Sequence, residues 1–183
     1  MTSPFPGFAA PAAGFEQPFE MLAACHERMR RSLALLARLI DHVAANGHDA
    51  KSRSAASNLL RYFDLAAALH DQDEQRHVFP LLAAADDPGL AAAVERLHHD
   101  HVRMEGLWAG LRATLDAWSR PDAVGRVDAS LREQAAAFDC LYAAHLRTEE
   151  EVVFPAARSR IDAARLASMS AEMLHRRRDA AGA

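Results

Sequence analysis

An internal repeat of 75 residues limits this chain's fold more than any other feature of its sequence. His26 and His101 stand 75 apart, as do His70 and His145, Glu74 and Glu149, Phe79 and Phe154, and Pro80 and Pro155. The apolar scaffold keeps the same offset at Leu22/Leu97, Met29/Met104, Leu36/Leu111, Phe63/Phe138 and Val78/Val153. Residues 18–84 and 93–159 therefore read as two copies of one unit. Each copy is helical by its periodicity. Leu22, Met29, Leu33, Leu36, Ile40 and Val43 fall on one stripe, as do Leu90, Val94, Leu97, Met104, Trp108, Leu111, Leu115 and Trp118. Steps of three and four keep residues on one helix face. Asn46-Gly47, Asp86-Asp87-Pro88-Gly89 and Ser119-Arg120-Pro121-Asp122 punctuate the helices, and Pro80 is expected to interrupt the second. No stretch alternates like a strand between hairpin turns.

The expected fold is all-α. An up-down-up-down four-helix bundle occupies about residues 18–159, and an extended N-terminal arm, rich in Pro, Gly, Ala and Phe, covers residues 1–17. A short fifth helix, about 162–177, lies in a C-terminal segment of residues 160–183 and ends in a polar, solvated tail. Two equivalent hairpins pack most simply around a pseudo-twofold axis along the bundle. A site on that axis receives two His and one Glu from each half.

The repeated polar residues fall where the core should be. His26 belongs to the stripe 22, 26, 29, 33, 36, and His101 to 94, 97, 101, 104, 108. In the second helix the stripe runs Phe63, Ala67, His70, Glu74, His77, Leu81. In the fourth it runs Phe138, Tyr142, His145, Glu149, Val152. At ~1.5 Å per residue, the four histidines lie roughly 12–18 Å from helix ends that an antiparallel bundle brings to one side. One layer thus collects four His and two Glu. Two facing carboxylates without partners cost several kcal/mol each, roughly, when buried. Cations are the natural compensation. Imidazole and carboxylate without thiolate suit Fe, Mn or Zn. Six donors exceed the roughly four of one zinc, so a dinuclear centre is expected. A self-satisfied His/Glu hydrogen-bond network is the competing reading.

These residues carry a resemblance. His26, His70-x3-Glu74, His101 and His145-x3-Glu149, with Phe-Pro after each HxxxE, resemble the hemerythrin-like (HHE cation-binding) family over about residues 18–159. The resemblance implies a four-helix bundle with a non-haem di-iron centre. His26, His70, His101 and His145 would be terminal ligands, and Glu74 and Glu149 bridges. It further implies dioxygen binding, iron or oxygen sensing, or a part in nitrosative stress and repair of iron centres. Leu97 stands where the oxygen carriers have a further histidine, and Glu149 follows His145 by four residues rather than five. The chain is therefore closer to the HHE branch than to the oxygen carriers.

His77, three residues after Glu74 and matched in the repeat by Val152, is a candidate fifth histidine ligand, with His98 as runner-up. Such a ligand would leave an open position on the poorer cation. His98 and His99 otherwise read as surface or interface. Asp71 and Asp73 read as surface charge, or as acceptors for a ligand His N–H. Cys25, Tyr142, Trp108 and Trp118 read as core.

Charge and composition remove other classes. The formal net charge of -4 leaves no basic face, so no nucleic-acid partner is expected. No apolar run approaches the roughly 20 residues of a membrane span, and no basic-then-apolar signal opens the chain. Cys25 and Cys140, far apart and outside any CxxC, exclude a disulfide framework. A cytoplasmic monomer or homodimer is the expectation. Dioxygen or nitric oxide is the expected small ligand, and two iron ions the expected cofactor. No residue outside the ligand set makes an acid, base or substrate pocket, so a classical enzyme is not expected. The alternative is a module whose metal state controls protein interaction, or which stores iron.

Overall fold

An aspartate acceptor just ahead of the first turn sets where four of the five helices begin, and a proline opens the other. The computed structural model describes residues 17–83 and 86–182. Helix α1 (Pro18–Asn46) starts on Pro at its first position and ends at Gly47, whose φ of 76° turns the chain while its N–H bonds back to Val43 O. Helix α2 (residues 50–83) opens on a capping box in which Asp49 and Ser52 satisfy each other's backbone N–H groups. Helix α3 (Pro88–Trp118) is capped by Asp87, so Pro88 and Gly89, expected in the turn, already belong to its first turn. Helix α4 (residues 129–158) is capped by Asp128. Helix α5 (Ala163–Gly182) follows Asp162, which accepts from the Arg165 N–H. Of the expected arm, only Gln17 lies within the described residues.

Neither Pro80 nor Pro155 stops its helix, contrary to expectation for the first. Each follows a π-helical stretch that begins on the repeated glutamate, Glu74–Val78 and Glu149–Val153. The Phe79 N–H bonds to Glu74 O, and the Phe154 N–H to Glu149 O, five residues back. Proline donates nothing and crowds the preceding turn. Widening that turn lets the helix continue. Five residues then make about one turn, so each Phe returns to the face of its Glu. A further π stretch, Tyr62–Ala67, occurs earlier in α2.

The described residues form an all-helical bundle. The α1 helix packs on α2, α2 on α3, α3 on α4, and α1 also meets α4. The core is divided. One apolar cluster takes Met29 to Val43 of α1, Ala56 to Ala67 of α2, Met104 to Trp118 of α3 and Leu131 to Leu146 of α4. The other takes Phe19 to Leu22, Val78 to Leu82, Leu90 to Leu97, Val153 to Ala157, and Met169 and Met173 of α5. The six repeated polar residues lie on α1 to α4, where those helices pass from one cluster to the other.

Candidate metal centre

All six are removed from water. His26, Glu74 and Glu149 have no exposed surface, and His70, His145 and His101 have 1%, 2% and 8%. Two four-residue groups form among them: His26, His70, Glu74 and Glu149, and Glu74, His101, His145 and Glu149. In each group one donor atom per residue lies within 4.8 Å of all the others. Both groups contain both glutamates.

The carboxylates reach across the layer. Glu74 places Oε1 3.0 Å from His70 Nε2 and Oε2 3.5 Å from His101 Nε2. Glu149 places Oε2 3.3 Å from His26 Nε2 and Oε1 3.0 Å from His145 Nε2. The histidines converge in pairs: Nε2 of His26 and His70 are 3.1 Å apart, as are Nε2 of His101 and His145. Separations of ~3 Å are those of neighbouring donors on a cation with bonds near ~2.1 Å. Among the described residues none of the four glutamate oxygens has a hydrogen bond of good geometry, although all are buried. A closed His/Glu network would satisfy those oxygens; a donor set awaiting cations would not. Hard oxygen and borderline nitrogen donors fit first-row cations.

Electrostatics agree. In the metal-free site burial pushes His26 toward neutrality, but Glu149 and Glu74 outweigh it and raise its pKa to about 9. His70 and His101 are raised against burial in the same way, chiefly by Glu74. Glu74 is held well below the usual carboxylate range: burial opposes this, and His70 leads the groups that prevail. Protons on His26, His70 and His101 thus stand in for cations.

Outer contacts orient the rings and follow the repeat. Glu150 Oε1 lies 2.8 Å from His26 Nδ1 and is itself held by Arg30 at 2.7 Å. The counterpart of Glu150 is Gln75, whose Nε2 lies 3.4 Å from His101 Nδ1. Phe154 stacks on His26 at 5.2 Å and Phe79 on His101 at 5.8 Å, each Phe coming from the opposite hairpin. These stacks give the Phe-Pro of each repeat its purpose. Sequence reasoning missed Glu150 and Gln75, although the repeat pairs them immediately after each ligand glutamate.

Several expectations are corrected. His77 does not join the layer; its Nε2 lies 2.6 Å from Glu172 Oε2 on α5. The π turn winds fewer degrees per residue than an α turn, so a residue three after Glu74 no longer points inward. His98 is also outside, with Nδ1 3.0 Å from Val94 O and its ring on Phe79. Asp73 is fully buried rather than a surface charge, paired with Arg176 and, at 2.6 Å, with Arg177. Those arginines belong to the segment expected to be a solvated tail. Trp108 is half-buried, not core: its Nε1 donates to Asp64 Oδ1 at 2.8 Å. Cys25 is likewise half-buried, against His70.

One side of the layer has an approach from outside. A cleft of about 530 Å³, mainly between α2 and α3, is lined by Asp64, Asp71, His101, Glu105, Trp108 and Tyr142 among others. Burial raises Asp71 to about 6, with His101 and His70 pulling the other way.

Comparison with known proteins agrees with this donor set. Among the described residues no helix is long and apolar enough to cross a membrane. A protein of Haemophilus influenzae, described only as uncharacterized, is 30% identical over 104 residues, 57% of this chain and 60% of that one. The chain thus spans about 60% of the length of the curated relative it matches. The model of the hemerythrin HHE cation-binding domain matches residues 17–157, which contain all six buried donors. The chain belongs to the hemerythrin HHE cation-binding family.

Proposed function

We propose that residues 18–159 form an up-down-up-down bundle of two equivalent hairpins holding two iron ions, and that the centre binds dioxygen or nitric oxide, or serves iron, oxygen or nitrosative-stress sensing or repair. The observation that carries the reading is the sharing of Glu74 and Glu149 by two otherwise separate histidine pairs. His26 and His70 would hold one cation, His101 and His145 the other, with both carboxylates spanning them. Bound iron would supply a redox-active centre with affinity for small diatomic ligands. The protein's part is to fix the four imidazoles, exclude bulk water, and admit small molecules along the α2/α3 cleft to the His101 side. Manganese or zinc suits the same donors. Anaerobic reconstitution with Fe(II), metal analysis and optical spectra on exposure to air and to NO test this. Two metals per chain and a spectral change with either gas are expected. A fully loaded protein with one metal, or no spectral change, overturns it.

A second reading has its own support. Asp73, next to Glu74, is the buried anchor for Arg176 and Arg177 of α5, and His77 holds Glu172. Metal state could then govern how α5 docks, making the domain a metal-dependent interaction module. Proteolysis of α5 that is the same with and without metal would count against it.

A further inference from the structure

Asp71 follows His70 directly, and its counterpart in the repeat is Leu146. Leu146 is buried in the apolar core. Asp71 instead lines the α2/α3 cleft, with Oδ1 3.9 Å from Nε2 of His101, and its side chain is 26% exposed. Among the described residues its carboxylate has no hydrogen bond and no other ion pair. A carboxylate largely withdrawn from water and given no donor is unfavourable unless something else meets it. The atom it approaches is the one His101 turns toward Glu74 and His145. The 3.9 Å separation is about 1 Å more than the ~3 Å between neighbouring donors on a first-row cation. The two side-chain torsions of an aspartate span that difference readily.

We infer that Asp71 is a further metal ligand, serving only the cation held by His101 and His145. This rests on the two-cation reading above. The matching position in the other half carries Leu146, which offers no donor, so the two cations are unequal by construction. One has two imidazoles and the shared carboxylates; the other adds an anionic oxygen of its own. Hard, higher-charged cations prefer the oxygen-richer position. Asp71 and His101 line the same cleft, so this carboxylate also faces a small ligand that enters there. The HxxxE spacing conceals the asymmetry, because it is identical in both halves.

The test uses the full chain, stripped by chelator and titrated with Co(II), followed by calorimetry and by visible absorption. The wild type should take two Co(II). Asp71→Leu, which copies the repeat partner, and Asp71→Asn, which keeps the shape, should still take two. One step should be weakened on the order of 10–100-fold, the loss that even outer partners of metal ligands produce, with the other unchanged. Loss of a ligand should also intensify the absorption of the weakened Co(II) alone. Leu-for-Asp replacement that prevents folding leaves Asp71→Asn to decide. If both binding steps and both spectra of Asp71→Asn match wild type, Asp71 is not a ligand. If the wild type itself stops at one Co(II), the two-cation reading fails instead, and the two failures are told apart.

Discussion

Without metal, raising the pH from about 6.5 to 9 should destabilise this protein, and metal should remove that dependence. His26 has no exposed surface, and its ordinary value of 6.5 is raised to about 9. Burial alone would lower it; the carboxylates of Glu149 and Glu74 prevail. The folded state therefore holds this proton more tightly than the unfolded chain. The resulting stability is complete below 6.5 and is lost as the pH rises through 9. At ~1.36 kcal/mol for each pH unit, the move is worth roughly 3 kcal/mol from His26 alone. His70 and His101 move in the same direction. Glu74 contributes stability that is lost only on acidification below its ordinary 4.5, so it is constant across this window. For a chain of this size ~1 kcal/mol shifts the melting temperature by roughly 2–4 °C, so a fall of about 6–12 °C is expected. Cations change the sign. Each displaces a proton from an imidazole, so metal affinity grows with pH and the loaded protein should melt at a constant or rising temperature. Calorimetry of chelated and reconstituted protein at pH 6.5, 7.5 and 9 checks this. A metal-free melt that is level or rises over that range would refute the electrostatic account of the layer.

Other outcomes follow from the same contacts. Glu149→Ala should lose at least one metal per chain and lower the melting temperature of the reconstituted protein, because its two oxygens serve two histidine pairs; metal analysis decides. Glu150→Gln should weaken metal binding by about tenfold by loosening its hold on His26, read by competition with a chelator. His77→Leu should leave metal content and spectra unchanged and cost about 0–1 kcal/mol, since its partner is the half-exposed Glu172; a lost metal would return His77 to the ligand set. Replacing both Arg176 and Arg177 by Ala should cost about 3–5 kcal/mol in denaturant melts, because Asp73 would be left buried and unpaired.

Much of this was legible in the sequence because it depends on local periodicity. The 75-residue repeat, the helical stripes and the six donors at one depth follow from residue spacing, and spacing within a helix fixes which residues share a face. His26, His70, Glu74, His101, His145 and Glu149 all lie in the layer that spacing assigns them. The tertiary structure alone decided the rest. His77 obeys the same spacing, yet the π turn starting at Glu74 carries it out to Glu172, and that turn reflects how Pro80 is accommodated in a packed helix. Asp73 and Arg176 are 103 residues apart, so no periodicity links them; only the docking of α5 turns a surface-like Asp into a buried anchor. The cleft at Asp71 is walled by side chains of α2, α3 and α4, and only the packing of those helices brings the walls together. Periodicity sets the face a residue takes on its own helix, whereas burial and partners depend on what other helices bring to that face.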